Sequence, residues 1–254
     1  MARADASATP PSIPPGLRVY AIGDIHGRLD LLDALLGMIE AREAAWPAEK
    51  AMLIFLGDYV DRGPDSRGVV ERLLTGLPER FDAAFLRGNH EDILLHCLRG
   101  PGWFDNWAMN GGLATIKSYG VEIDAETELR RLDAKRILAA FRRAMPEAHR
   151  AFYRGLPVSR EIGDYFFVHA GVRPGVPLGA QRAADLTFIR DPFLSHQGDF
   201  GKIIVHGHTP VAAPEFHPNR IAIDTGAVFT GRLTALCLEG AARSFLTTEG
   251  RGRV

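Results

Sequence analysis

The sequence predicts an α/β (α+β) fold of two packed mixed β-sheets flanked by helices, and three observations carry that prediction. A strand, loop, helix unit repeats three times between residues 18 and 98, at intervals of roughly thirty residues, the rhythm of βαβ units. That rhythm breaks over a helical insertion at about residues 100–155. Short apolar strands then resume without long helices between them, as a second sheet packed on the first requires.

Residues 1–16 are rich in Ala, Pro and Ser and lack the basic and apolar regions of a secretory signal. They read as a disordered tail before one domain spanning 17–254. A strand at 18–22 closes on Gly23-Asp24-Ile25-His26-Gly27, and Leu32, Leu35, Leu36 and Ile39 mark a helix that stops near Pro47. Met52-Leu53-Ile54-Phe55-Leu56 is continuously apolar, as a parallel strand buried on both faces must be. It runs into Gly57-Asp58-Tyr59-Val60-Asp61-Arg62-Gly63. Val69, Val70, Leu73, Leu74 and Leu77 form the next helical stripe, ended by Pro78. A third strand, 83–86, closes on Arg87-Gly88-Asn89-His90-Glu91, and Ile93, Leu94, Leu95 and Leu98 continue as helix.

Within the insertion, residues 101–104 and 110–112 read as loop, and 126–143 and 146–154 as helices. Leu129, Leu132, Ile137, Leu138 and Phe141 give the first of these an apolar stripe, which fits packing over the sheet and equally a cap over a substrate. Beyond it, a strand at 165–168 ends at His169-Ala170-Gly171, and one at 202–205 ends at His206-Gly207-His208-Thr209-Pro210. Residues 221–226 and 233–238 read as a closing hairpin.

Lys plus Arg number 30 and Asp plus Glu 31, a net charge of −1 that leaves no footprint for nucleic acid or an anionic membrane. No apolar run approaches the ~18 residues of a membrane span. Cys97 and Cys237 lie in apolar runs and outside any zinc-like spacing, which fits buried thiols in a reducing, cytoplasmic compartment.

Five apolar strands end in residues able to bind a metal: Asp24 and His26, Asp58, Asn89, His169, and His208. Turn or capping chemistry explains any one of them, but not all at the same end of their strands, where open α/β sheets form ligand crevices. Carboxylate, imidazole and amide oxygen together suit Mn2+, Fe or Zn2+. The set holds no thiolate, unlike structural zinc sites. Six ligands exceed one coordination sphere with open water positions, so two divalent ions sharing a carboxylate fit better.

These five motifs resemble those of the calcineurin-like metallophosphoesterases. GDYVDRG with RGNHE is similar to the phosphoprotein phosphatase branch, in its short bacterial and phage form, and the resemblance covers Val19 to Leu238. It implies a four-layer metallophosphoesterase sandwich. It further implies that Asp24, His26 and Asp58 hold a first metal, while Asp58, Asn89, His169 and His208 hold a second, with Mn2+ the leading ion. His206 is left as a supporting residue. Two such cations acidify a shared water to hydroxide, which attacks phosphorus directly. The leaving oxygen needs a proton, and His90, oriented by Asp61, is the candidate acid. Arg62 offers a planar fork to phosphate oxygens, beside Asn89 and His90. Leu186-Thr187-Phe188-Ile189-Arg190 resembles the family's Trp-Ile-Arg segment, with Phe188 in place of Trp, and so implies Arg190 as a second phosphate-binding arginine. Arg87 is a further candidate.

The resemblance implies a phosphomonoesterase for phosphoserine or phosphothreonine proteins, acting also on small aryl phosphates. Glu91 favours this, because symmetrical dinucleoside tetraphosphatases of the superfamily look like GNHD at that point. The alternative is a dinucleoside-polyphosphate or nucleotide 5′-end pyrophosphohydrolase. A non-catalytic scaffold is disfavoured, since every ligand position, His90, Asp61 and both principal arginines are present.

Overall fold

A computed structural model describes residues 10–123 and 132–250. Strands β1 (Leu17–Ile22), β2 (Lys50–Phe55) and β3 (Phe81–Phe85) pair in parallel, joined by α1 (Leu29–Ala45) and α2 (Ser66–Thr75), and α3 (Asn89–Arg99) leaves β3. The other edge of β1 pairs antiparallel with β9 (Thr234–Glu239), which in turn pairs with β10 (Ala242–Thr247). The second mixed sheet comprises β4 (Ser159–Ile162), β5 (Tyr165–Val168), β6 (Ile203–His206), β7 (Glu215–Phe216) and β8 (Arg220–Ala222). Its order is β4-β5-β6-β8-β7, with β5, β6 and β8 parallel.

Alternation along each strand explains the unbroken apolar runs. Val19, Ala21, Ile54 and Leu56 meet Tyr165, Phe167, Val205 and Ile221 between the sheets, whereas Tyr20, Ile22, Leu53 and Phe55 face the helices of the first sheet. Phe166, Val168 and Ile204 turn outward to Leu186, Ile189 and Phe193. The resulting layers are helices, sheet, sheet, and a cover on the second sheet that includes α8 (Ala183–Phe188).

The expected loops at 101–104 and 110–112 are instead helical. A 3-10 turn at Pro101–Trp103, α4 (Phe104–Trp107), a wide turn at Ala108–Gly112 and α5 (Leu113–Ser118) follow one another directly. The expected helix at 126–143 is α6 (Ala134–Ala144), which begins where the Asp133 carboxylate accepts the Arg136 N–H at 3.0 Å. Residues 132–133 are not helical, and 126–131, including Leu129, lie outside the described residues. α7 (Glu147–Gly155) agrees with the expected 146–154 helix. Phe104, Trp107, Ile116, Tyr119, Leu138 and Phe141 share one core with α1 to α3, so the insertion is packed into the helical layer.

Three further differences have physical causes. The expected closing hairpin does not form: β8 joins the second sheet and β9 the first, with α9 (Ala227–Thr230) carrying the chain between them. The partners of β5 and β9 are β4 and β10, short strands with exposed or half-buried residues and no apolar run to announce them. The expected disordered tail is also too long at its inner end. Asp164 N–H donates to Ser12 O and Ser12 N–H to the Asp164 carboxylate, each at 2.9 Å, Ile13 N–H donates to Gly240 O at 3.0 Å, and Ile13 enters the inter-sheet core. One apolar residue among prolines therefore straps the two sheets together.

Phe167 is fully buried between the sheets. Phe167→Ala should lower stability by about 3–5 kcal/mol, seen as an earlier urea midpoint with an unchanged m-value.

Candidate metal centre

Asp24 and His26 follow β1, Asp58 follows β2, Asn89 follows β3, His169 follows β5 and His208 follows β6, so the parallel strands of both sheets deliver them to one place. The backbone there is bent against preference. Among the described residues the non-glycine positions with positive φ are His26 (46°), Asp58 (51°), Asp61 (73°), Arg62 (69°) and His208 (64°). Each costs on the order of 1–3 kcal/mol and persists where the surroundings over-determine it.

Two groups of side chains have ligand atoms all within 4.8 Å of one another: Asp58, His169 and His208, and His26, Asp58 and His90. They share Asp58. In the first, His169 Nδ1 donates to Leu56 O at 3.1 Å, which leaves Nε2 as a lone pair. That lone pair faces Asn89 Oδ1 at 2.9 Å, His208 Nδ1 at 3.2 Å and Asp58 Oδ1 at 3.4 Å. Ligands bonded to one cation at about 2.1 Å lie about 3–3.5 Å apart, so the spacing fits an ion between them. In the second group, His26 Nδ1 donates to Val60 O at 2.8 Å, and its Nε2 faces Asp58 Oδ2 at 3.5 Å. Asp24 is buried beside these groups, and its carboxylate accepts the His208 N–H at 3.1 and 3.2 Å.

Burial raises the Asp24 and Asp58 carboxyls and holds the His26 and His169 imidazoles well below their usual range. Buried carboxylates short of positive charge, with neutral imidazoles around them, are what divalent cations require. The donor set therefore fits two such ions.

His90 Nδ1 donates to Asp61 Oδ2 at 2.6 Å, the arrangement expected of an acid and its orienting carboxylate. Burial lowers the affinity of this ring for a proton, but Asp58 and Asp61 outweigh it and raise the pKa. Arg62 bridges the two outer imidazoles, donating to His26 Nε2 at 2.7 Å and His90 Nε2 at 3.0 Å. A cavity of about 230 Å3 opens over the centre, lined by Asp58, Asn89, His208, Arg62 and Arg190 together with the rings of Trp103 and Phe188.

Of the expected phosphate binders, Arg62, Arg190 and Asn89 line this cavity, whereas His90 and Arg87 do not. Arg87 points elsewhere. Its guanidinium donates to Asp92 and to Leu156 O at 2.8 Å, and it does not line this cavity. His206 likewise turns away, packing edge-on against Phe193. Glu91 is fully buried and accepts the backbone N–H groups of Asp58, Tyr59 and Gly88 at 2.9 Å each. It braces the loops that carry Asp58 and Asn89 and lines neither cavity at the centre, so it makes no direct contact by which to select a substrate.

Sequence reasoning missed the supports of Asp61. Trp107 Nε1 donates to its carboxylate at 3.0 Å and Thr115 Oγ1 at 2.6 Å, while Ser66 and Thr115 accept its backbone N–H. Gly111, with φ 98°, accepts the Arg62 N–H at 3.1 Å, and a Cβ there would lie 2.6 Å from that nitrogen. The paired glycines after Trp107 were the available signal.

A family model described as "Calcineurin-like phosphoesterase" matches residues 17–231. The chain is 30% identical over 237 residues to a bis(5′-nucleosyl)-tetraphosphatase PrpE, asymmetrical, of Anoxybacillus flavithermus, covering 85% of this chain and 88% of that one. It is 30% identical over 224 residues to serine/threonine-protein phosphatase 1 of Salmonella typhimurium, covering 85% and 89%. Among solved structures, a putative diadenosine tetraphosphatase aligns with a TM-score of 0.61 at 23% identity, over 96% of this chain and all of that one.

Asp58 faces both ligand groups, so Asp58→Asn should abolish uptake of the about two Mn2+ equivalents expected of wild type, measured by equilibrium dialysis. Loss of one equivalent alone would show that Asp58 serves a single site.

Proposed function

The chain belongs to the calcineurin-like phosphoesterase family, and from that premise we propose that it hydrolyses dinucleoside polyphosphates at a centre of two divalent ions, with Mn2+ the leading candidate. The carrying observation is the sharing of Asp58 by two acceptor groups beneath a cavity lined by Arg62 and Arg190. Asp24, His26 and Asp58 would hold one ion, and Asp58, Asn89, His169 and His208 the other. When bound, the ions supply a water acidified toward hydroxide at neutral pH and neutralise phosphate oxygens.

The chain's own groups do the rest. Arg62 and Arg190 bind and orient the phosphoryl group, and Asn89 and His90 border it. His90 Nε2 accepts from Arg62 in this structure; with Arg62 turned to phosphate that nitrogen would be free to carry a proton, which the imidazolium gives to the departing oxygen. Asp61 keeps the Nδ1 hydrogen bond throughout and stabilises the imidazolium, while Trp107 and Thr115 hold Asp61 in place.

The nucleotide reading rests on the asymmetrical tetraphosphatases among the relatives and on the aromatic rings of Trp103 and Phe188 around the phosphate cavity. Once Glu91 is seen to brace backbone, the argument it gave for phosphoproteins falls away. A serine/threonine phosphatase remains the second reading, favoured by the equal identity to the Salmonella enzyme. Free, buried Cys97 and Cys237 fit a reducing cytoplasm, and no described helix is long and apolar enough to cross a membrane.

With Mn2+, kcat/KM for diadenosine tetraphosphate should exceed that for a phosphoserine peptide by about tenfold or more, and chelation should abolish both. The opposite order would establish the second reading, and no metal-dependent hydrolysis of para-nitrophenyl phosphate would restore the non-catalytic one. His90→Ala and Asp61→Asn should keep near wild-type metal content yet lower kcat by about 10²–10⁴-fold. The His90→Ala loss should be greater on an alkyl phosphate than on para-nitrophenyl phosphate, whose phenolate leaves with less help.

A further inference from the structure

Arg62 lines a second cavity, of about 240 Å3, whose other walls include Arg28, Gly63, Pro64, Val228 and Phe229. Arg62 also lines the metal-side cavity, so the two spaces adjoin at this residue. Phe229 is 73% exposed, which is unusual for a phenylalanine on a fixed turn. α9 is bracketed by Gly226 and Gly231, both with positive φ, and Gly226 N–H donates to the Asp224 carboxylate at 2.8 Å. Thr230 Oγ1 donates to Thr225 O at 2.8 Å, and Arg28 Nη1 donates to Ala227 O at 3.1 Å. The buried anchor of the turn is Ala227, whereas Phe229 packs in no apolar cluster. Its ring instead lies 5.9 Å from the Arg62 guanidinium carbon, a cation–π contact.

We infer that this second cavity is a nucleobase subsite, with Phe229 as its stacking surface. The inference rests on the nucleotide reading above and adds where a base sits. An aromatic face presented to solvent on a hydrogen-bonded turn, next to the guanidinium assigned to phosphate, suits a ligand whose flat π-system lies one sugar away from its phosphate. The alkyl side chain of a phosphoserine has no such face and would leave Phe229 uncovered. Arg28 also lines the wall, but its guanidinium is paired with Asp30 at 2.7 and 2.8 Å, which leaves Arg62 as the cation facing the ligand.

The test compares AMP with ribose 5-phosphate as competitive inhibitors of para-nitrophenyl phosphate hydrolysis by the Mn2+-loaded enzyme, alongside direct assay of diadenosine tetraphosphate. In wild type AMP should bind about tenfold or more tightly than ribose 5-phosphate. In Phe229→Ala that ratio should fall to about one, and Phe229→Trp should restore it. Using the ratio cancels any general damage to the phosphate site. If wild type hydrolyses diadenosine tetraphosphate but Phe229→Ala keeps the wild-type ratio, the subsite is overturned and the nucleotide reading stands. If wild type leaves diadenosine tetraphosphate intact and binds both inhibitors equally, both are overturned.

Discussion

A buried carboxylate with imidazole lone pairs on both sides is unfavourable unless positive charge joins them, and Asp58 is held in that position from every direction. Its carbonyl accepts the N–H groups of Ile25 and His26 at 3.1 and 2.8 Å, and its own N–H is taken by Glu91. A Cβ on Gly57 would lie 2.5 Å from Gly88 N, and one on Gly88 would lie 2.1 Å from Asp58 Oδ1, so both positions require glycine. The ligand loops of β1, β2 and β3 are thereby locked to one another before any ion arrives. The energy stored in five left-handed non-glycine residues is sustained by that mutual bracing and by two sheets whose facing sides are fully buried.

The helical insertion takes part in this arrangement. Its Trp107 belongs both to the core shared with Phe141 and to the Asp61 carboxylate. Stability of the helical layer and the direction of the His90 proton are therefore set by the same side chain. Gly111 extends the coupling to Arg62 by accepting its backbone N–H. A segment that could have served only as a packed cover or only as a cap is, in this fold, packed core and support for Asp61 at once.

Substrate preference lies farther out than the shared motifs. On the proposed reading, the candidate ligands around Asp58, with His90 and Asp61, would suit nucleotide and protein phosphates alike, and the relatives include both kinds of enzyme. Differences must arise from residues that border the cavities, such as Trp103 and Phe188 on one side of Arg62 and Phe229 on the other.

Much of the centre was legible in the sequence because parallel strands buried on both faces are continuous apolar runs, and their ligands sit immediately after them. Asp24, His26, Asp58, Asn89, His169 and His208 needed no knowledge of distant contacts to be found as strand-end residues. Which sheet a strand joins was not legible: β8 and β9 are close in sequence yet belong to different sheets, because pairing is decided by long-range packing of Ile221 and Leu236. Side-chain direction was equally hidden. Arg87 sits one residue before Gly88 of a ligand loop and still points to Asp92 and Leu156, and Ile13 leaves a proline-rich tail to enter the core. The Trp107 to Asp61 hydrogen bond spans 46 residues of chain. Local periodicity and adjacent motifs are fixed by short-range sterics and burial, so sequence alone marked the buried apolar strands and the candidate ligands at their ends. Pairing, strained backbone and the orientation of Asp61, Arg62 and Glu91 depend on atoms far apart in the chain, and only the tertiary structure decided them.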